Sequence, residues 1–207
     1  MSGKPRPFVI AHRGSSWDEP ENTLPAFQRA IAHGADFVEF DVHATAEGEL
    51  VVVHDRPAAG APVPTLEDVL SETVGRVGIM AELKEPYRYR RHDVVRRVVQ
   101  LLPADAFVLS FEPAALRQVA LLEPGLRTVQ HLHAGVSIVR ASAYSWGVGF
   151  AARTVTTRAL ARARWLGLET LVYTVNDVAR MRELADLAVT GIVTDRPDVL
   201  RRALDER

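Results

Sequence analysis

The chain has no cysteine and only two lysines among its 207 residues, Lys4 and Lys84. Without cysteine there are no disulfides and no thiolate metal ligands, and the redox compartment stays undetermined. All the other basic residues are arginines. Because Lys84 ends an apolar run in a chain that otherwise uses arginine, we expect a compact ammonium group to be needed there.

An excess of charge and a long apolar run are also missing. Lys and Arg number 25 against 26 Asp and Glu, so the net charge is −1 and no basic field favours nucleic acid or an anionic membrane. The first apolar run, 8–11, is much shorter than a signal-peptide core or a membrane span. We therefore expect a cytoplasmic protein with small-molecule partners, no nucleic acid partner and no stable membrane association.

The composition is that of one globular domain. Hydrophobic residues make up 47% of the chain and charged residues 25%, which provides ample material for a core. No stretch rich in proline, glycine or serine is long enough to separate two domains, and no segment has low complexity. We therefore expect residues 1–207 to form a single domain, at a length that suits a large α/β fold.

The stretch 36–55 carries the first chemical signal. Glu39 and Asp41 interrupt an apolar run, and residues two apart in a strand face the same side, about 6.6 Å apart along the chain. Two carboxylates withdrawn from water at that spacing repel each other unless a cation or a hydrogen-bond donor compensates them. The pair is therefore a candidate metal site, although an ordinary pair of salt-bridging acids at a strand end would look the same.

Other apolar runs end in titratable residues in the same way. His12 and Arg13 follow 8–11, His54 and Asp55 follow 51–53, and Glu82 and Lys84 end the run 77–84. Several predicted strands therefore place acids, cations and imidazoles at their carboxyl ends.

The pattern of strands and helices predicts a closed barrel. Only seven residues separate Val42 from Leu50, and a parallel crossover needs about a dozen, so 50–54 is predicted to return as a hairpin arm or rim segment. The remaining eight strands alternate with helices or loops, which is typical of an α/β (β/α)8 TIM barrel. The predicted strands are 8–11, 36–42, 77–84, 107–111, 127–132, 146–150, 170–175 and 191–195, and the predicted helices are 23–33, 65–72, 93–102, 114–122, 157–166, 178–188 and 198–204.

The barrel accounts for the positions of the titratable groups. Active sites of TIM barrels lie at the carboxyl ends of the strands, where the acids, cations and histidines described above fall. The alternative fold is an open doubly wound sheet, but no glycine-rich phosphate fingerprint follows the first strand.

These motifs resemble the glycerophosphodiester phosphodiesterase family, a group of phospholipase C-like TIM-barrel enzymes. The matching segments follow the family's order almost from end to end: His12-Arg13-Gly14, 20–24, 34–42, His54-Asp55, 64–67, Glu82-Leu83-Lys84, Ser110-Phe111, 173–176 and 194–197. The resemblance implies metal-dependent hydrolysis of glycerophosphodiesters to an alcohol and sn-glycerol 3-phosphate, with Mg²⁺ or Ca²⁺ as the metal.

The resemblance also implies a role for each site residue. Glu39, Asp41 and Glu82 correspond to the metal ligands, and His12 and His54 to the general acid and base. A hard, oxygen-only ligand set suits Mg²⁺ or Ca²⁺, and two imidazoles near neutral pH can exchange the protons that P–O cleavage requires. Arg13 and Lys84 correspond to the cations that bind the phosphate. Trp17 and Tyr173 are aromatic candidates for the wall of a substrate pocket.

Two departures from the family pattern bear on specificity. Only 56–63 separate the His54-Asp55 motif from the next helix, so no large inserted subdomain covers the site, and Tyr173 stands where tryptophan is usual. The head group, the choice of metal, the acid or base role of each histidine, the mode of attack and the oligomeric state stay open. His33, His92, His131 and His133 are interpreted as surface or rim residues, and His43 as a rim residue beside the acids.

Other functions are compatible with part of this pattern. A phospholipase D-like or phosphoinositide phospholipase C-like barrel would also use two histidines and a metal. A glycosidase would place its two carboxyl groups on either side of the scissile bond, which fits Glu39 and Asp41 poorly because they share one strand face. A non-catalytic barrel that binds phosphodiesters is the alternative outside enzymes.

Overall fold

The computed structural model describes residues 6–58, 60–88, 90–133 and 135–206. Its strands are β1 Phe8–His12, β2 Phe37–Ala44, β3 Leu50–Val52, β4 Gly78–Leu83, β5 Phe107–Ser110, β6 Arg127–His131, β7 Gly147–Ala151, β8 Glu169–Tyr173 and β9 Gly191–Thr194. Its helices are α1 Leu24–Ala32, α2 Leu66–Thr73, α3 Val94–Leu101, α4 Pro113–Leu122, α5 Ile138–Ala141, α6 Thr157–Trp165, α7 Val178–Asp186 and α8 Pro197–Asp205, with a 3₁₀ turn at Arg90–His92.

Eight of these strands are parallel and close into a barrel. β1 pairs with β2 on one side and with β9 on the other, which joins the ends of the sheet. β3 runs antiparallel to β2 and stands outside the parallel set. The predicted TIM barrel, with a hairpin arm after the second strand, is confirmed.

Capping groups in the sequence define where several helices begin. The side chain of Thr23 accepts a hydrogen bond from the backbone of Ala26 at the start of α1. Thr65 and Asp68 form a reciprocal capping box at the start of α2, and Asp177 caps α7. The short helix α5 and the 3₁₀ turn were not predicted, since each covers a single turn of chain with little periodicity.

Alternation along the strands divides the core into two layers. Residues such as Val38, Phe40 and Val42 face the surrounding helices. The neighbouring positions on every strand face the barrel axis, where Ile10, Met80, Phe107, Leu109, Val129, Leu171 and Val193 form a closed apolar plug. The next inward-facing position above this plug is therefore at the carboxyl-terminal mouth of the barrel. None of the helices in the described part of the chain combines the length and apolarity that a bilayer span needs.

Candidate active site

Strand alternation brings three acids together above the plug. Glu39 and Asp41 lie on β2 and Glu82 on β4, and Asp41 pairs directly with Glu82 in the parallel register. All three are almost completely buried, at 3%, 1% and 6% exposure. One oxygen of each carboxylate lies within 4.8 Å of an oxygen of the other two.

Two cations contact this cluster. Nζ of Lys84 lies 2.8 Å from Oε1 of Glu82 and 3.1 Å from Oδ1 of Asp41. Nε of Arg13 lies 3.0 Å from Oδ2 of Asp41, and its Nη1 lies 2.7 Å from the outer acid Glu21. Three carboxylates against Lys84 and Arg13 leave one unit of negative charge in the cluster.

Glu39 is the acid of this cluster whose ionised form is least stabilised by its surroundings. Burial raises the pKa of Glu39 well above its usual value, and the charges of Asp41 and Glu82 raise it further. Burial also raises the pKa of Glu82, although Lys84 opposes this shift. The pKa of Asp41 is lowered, because Lys84, Arg13 and a hydrogen bond from Asn22 outweigh its burial.

The loop after β1 is shaped to reach these acids. Arg13 adopts a positive φ of 56°, and its backbone N–H donates to Oε2 of Glu39 at 3.1 Å. Gly14 follows with φ 84°, and a Cβ there would collide with the backbone of Ala26, so only glycine lets the loop pack this closely on α1. Asn22 donates from Nδ2 to Asp41 at 2.9 Å and accepts from the Asp41 backbone at 3.3 Å, which braces the loop.

His12 is held at the mouth by a chain of hydrogen bonds from β8 and β9. Nδ1 of His12 lies 2.6 Å from Oδ1 of Asp195, and Nδ2 of Asn176 donates to the other carboxylate oxygen at 2.6 Å. These two hydrogen bonds lower the pKa of Asp195, although burial opposes the shift. Neither Asp195 nor Asn176 was given a role from the sequence, although both lie in motifs that carry the resemblance.

His54 reaches the same end of the barrel through the hairpin arm. The backbone N–H of Val53 donates to the carbonyl oxygen of Asp41 at 3.0 Å, which places His54 beside the acidic strand. Nδ1 of His54 lies 3.0 Å from Oδ1 of Asp55, and its side chain is 38% exposed. His12 pairs with Glu39 in the β1–β2 register. Because β4 pairs along the other edge of β2, β1 and β3 share one edge of β2 and bring both histidines to the same side of this strand.

His43 supports His54 from below. Its Nε2 lies 3.1 Å from the carbonyl oxygen of His54, and the side chain is buried rather than on the rim. The rim position inferred for His43 was therefore wrong. Burial lowers the pKa of His43, which favours the neutral ring that donates this hydrogen bond.

His131 is a further inward-facing residue whose position was predicted incorrectly. It ends β6 and is 4% exposed, with its ring stacked on Phe111 at 5.0 Å and in edge contact with Tyr173 at 4.4 Å. Burial lowers the pKa of His131 to about 3, so the ring is neutral. Its Nε2 lies 3.7 Å from Glu82, which links the acids to an aromatic wall on β5, β6 and β8.

The two candidate pocket residues lie in different surroundings. Tyr173 lines a cavity of about 520 Å³ at the carboxyl ends of β5–β8, together with Phe111, Leu132, His133, Arg153 and Thr154. We call it the β5–β8 cavity. Trp17 does not line it: the indole is 62% exposed and lies under the guanidinium of Arg196 at 4.7 Å.

The acidic cluster fits a divalent metal ion. Glu39, Asp41 and Glu82 offer three converging carboxylate oxygens, and the two cations present leave them under-compensated. Hard oxygen ligands of this kind suit Mg²⁺ or Ca²⁺ better than Zn²⁺. A second group, Asp18, His33 and Asp198, is more exposed, and Asp198 already pairs with Arg202.

Comparison with known proteins identifies the family. The model of the Glycerophosphoryl diester phosphodiesterase family matches residues 12–61 and 56–199. The chain belongs to this family. A glycerophosphodiester phosphodiesterase of Bacillus subtilis is 26% identical to it over 95% of this chain and 86% of its own length.

Solved structures of other glycerophosphoryl diester phosphodiesterases share the barrel. A crystal structure of a glycerophosphodiester phosphodiesterase from Parabacteroides distasonis superposes with a TM-score of 0.86 at 27% identity, covering 99% of both chains. A phosphodiesterase from Oleispira antarctica, solved in complex with the product sn-glycerol-3-phosphate, has the same fold with a TM-score of 0.85 at 24% identity over 97% of both chains. The family and the enzyme class predicted from the sequence are confirmed.

Proposed function

We propose that this protein hydrolyses glycerophosphodiesters to an alcohol and sn-glycerol 3-phosphate with the help of a divalent metal ion, Mg²⁺ or Ca²⁺. The observation that supports this most strongly is the buried cluster of Glu39, Asp41 and Glu82, contacted by Arg13 and Lys84. One divalent ion would change its net charge from one negative to one positive unit. The site would then match the single negative charge of a phosphodiester.

In this proposal the three carboxylates hold the metal, and Arg13 and Lys84 bind the phosphate. A bound divalent ion would supply charge neutralisation at the non-bridging oxygens. Arg13 and Lys84 are already oriented by the acids, so their positive charges need little rearrangement when substrate binds. The pKa of Lys84 is raised because Glu82 and Asp41 outweigh its burial, which keeps the ammonium charged.

His12 and His54 are proposed as the general acid and base. The net reaction adds water across a P–O bond: phosphorus gains an oxygen, and the departing alkoxide gains a proton. Because Nδ1 of His12 is hydrogen-bonded to Asp195, Nε2 is the nitrogen available to exchange a proton with substrate. His54 follows β3, along the same edge of β2 as His12, and is proposed to exchange a proton with the other reacting oxygen. Either histidine can be the base that takes a proton from the attacking oxygen, with the other as the acid that protonates the departing alkoxide.

The remaining sequence predictions extend this proposal. We propose that residues 1–207 act as one barrel domain on small soluble substrates, without nucleic acid or stable membrane binding, in keeping with a net charge of −1. A cytoplasmic location and a pocket role for Trp17 and Tyr173 remain predictions from the sequence. The alternative within the same fold, a phospholipase D-like or phosphoinositide phospholipase C-like enzyme, would require phospholipid substrates and would release no sn-glycerol 3-phosphate in the assay described next.

The test is an assay of the purified protein with glycerophosphocholine, glycerophosphoethanolamine, glycerophosphoglycerol and bis(p-nitrophenyl) phosphate, with Mg²⁺, Ca²⁺ or EDTA. We expect metal-dependent release of sn-glycerol 3-phosphate that His12→Ala abolishes. Isothermal titration should also show that Glu82→Gln weakens metal binding, whereas Glu123→Gln, an exposed residue after α4, does not. Tight binding of these diesters without turnover at saturating metal would identify a non-catalytic binder instead.

A further inference from the structure

The β5–β8 cavity opens on the same face of the barrel as the acidic cluster. Its walls come from residues that directly follow β5, β6 and β7 and from the last residue of β8. About 520 Å³ is enough for a small organic group, within the range of ligand pockets in proteins. The cavity is therefore an extension of the site toward β5–β8.

Tyr173 and Phe111 connect the cavity to the acids. Nζ of Lys84 lies over the ring of Phe111, 5.9 Å from its centroid. Tyr173 contacts the ring of His131, which lies beside Glu82. Burial raises the pKa of Tyr173 to about 12, with Glu82 adding to the shift and Arg153 and Lys84 opposing it. The charges of the acidic cluster and of Arg153 therefore both act on the Tyr173 side chain, which stands between them.

The charge of the cavity wall is positive. Among its lining residues Arg153 is cationic and none is acidic. Arg153 is exposed, and within the described residues it is in none of the ion pairs. The polar groups beside it are the Thr154 hydroxyl, the His133 ring and the Tyr173 hydroxyl. This set offers an unpaired guanidinium and several hydrogen-bonding groups to whatever occupies the cavity.

Cationic and uncharged head groups would interact differently with this cavity. Aromatic rings can bind a quaternary ammonium such as choline through cation–π contacts. Here Lys84 already lies over Phe111, and Arg153 would repel a second cation near Tyr173. A hydroxyl-rich head group meets no such repulsion and can accept hydrogen bonds from the Arg153 guanidinium.

We propose that the β5–β8 cavity holds the departing alcohol of the substrate and that Arg153 selects uncharged polyol head groups, such as glycerol, over the cationic head groups choline and ethanolamine. The inference rests on the proposed function, because it concerns the alcohol released at the same site. It adds Arg153 as a specificity-determining residue that no sequence motif marked.

The test compares kcat/KM for glycerophosphoglycerol and glycerophosphocholine in the wild-type protein, Arg153→Glu and Arg153→Gln. We expect the wild type to favour glycerophosphoglycerol, and the charge reversal to shift the ratio toward glycerophosphocholine by about tenfold or more, since two unit charges change beside the head group. Arg153→Gln should fall between them. Arg162→Glu, which makes the same charge change on the outer face of α6, should leave the ratio unchanged.

The outcomes separate the inference from the proposed function. A wild-type protein that turns over no glycerophosphodiester contradicts both. Turnover with a ratio that Arg153→Glu leaves unchanged overturns the inference alone and places the head group elsewhere. An equal loss for both substrates would overturn it as well, since it would mean that the cavity holds the part that all substrates share. Thermal melting of each variant checks that it is folded.

Discussion

Asp195 and His12, 183 residues apart in the chain, are joined by a 2.6 Å contact between a carboxylate oxygen and an imidazole nitrogen. The pair forms because β9 lies next to β1 in the closed barrel, and both residues stand at the carboxyl ends of these strands. Asn176 and Ser16 complete the hydrogen bonding of the carboxylate. This arrangement fixes the orientation of the His12 ring before substrate arrives.

Replacing Asp195 tests that orientation. We expect Asp195→Asn to lower kcat by about a hundredfold, within the contribution usual for a positioned acid or base, with a much smaller change in KM. Asp177→Asn is a matched control because Asp177 caps α7 outside the site and asparagine caps a helix about as well as aspartate, so stability and kcat should both stay close to those of the wild type. Steady-state kinetics and urea unfolding of both variants give the comparison. A large rise in KM at constant kcat for Asp195→Asn would contradict a positioning role.

His43 provides a second test, this time of the segment that carries His54. His43→Leu leaves the His54 carbonyl without its buried donor, so we expect a loss of about 1–3 kcal/mol of stability and a clear fall in kcat. His43→Gln keeps an N–H near the position of Nε2 and should recover most of both. His92→Leu, which removes an imidazole from a surface carbonyl, is the matched control and should keep its activity. If the Gln and Leu variants behaved alike, the hydrogen bond would not be what matters.

The neutral state of buried His131 predicts a pH dependence of stability. Its pKa falls from 6.5 to about 3 on folding, so the unfolded chain binds a proton that the folded chain does not between those values. Stability is therefore lost as pH falls through this window, by up to about 1.4 kcal/mol per pH unit from this group. Urea unfolding with EDTA between about pH 7 and pH 5 should show a shallower slope for His131→Leu. Equal slopes would mean that His131 is protonated in the folded protein.

Gly149 predicts a packing effect on the same ring. A methyl group there would collide with Nδ1 of His131 and lie 3.2 Å from Cε1 of Tyr173. We expect Gly149→Ala to cost about 1–3 kcal/mol, as overpacking usually does, and to lower activity by displacing the aromatic wall. Gly125→Ala, on a surface turn where the nearest atom is Oε1 of the exposed Glu123 side chain at 3.3 Å, which can move aside, should change neither thermal stability nor kcat. Full activity in Gly149→Ala would show that the wall tolerates displacement.

Much of the fold could be predicted because each strand and cap is encoded locally. The apolar runs, their alternation with helices and the short 43–49 link were sufficient to predict the barrel and its hairpin arm. The convergence of Glu39, Asp41 and Glu82 followed from period-2 alternation and from the rule that TIM barrels place their chemistry at strand ends.

The less predictable features depend on contacts between distant segments. His131 looks like a rim residue in the sequence, because nothing local reveals that Phe111 and Tyr173 close over it from β5 and β8. Asp195 gains its role only when β9 meets β1, and Arg153 only when the loop after β7 approaches Tyr173. Pairings of this kind require the closed barrel, which a single sequence does not specify residue by residue.

The scarcity of lysine gives the centre of this protein a built-in spectroscopic reporter. The sequence has two ε-amines, and one of them, on Lys84, bridges Asp41 and Glu82. Reductive methylation with ¹³C-formaldehyde would therefore produce a spectrum of two lysine signals beside that of the amino terminus. A chemical-shift change in one of them upon addition of metal or phosphate would register events at the carboxylates directly, without any engineered label.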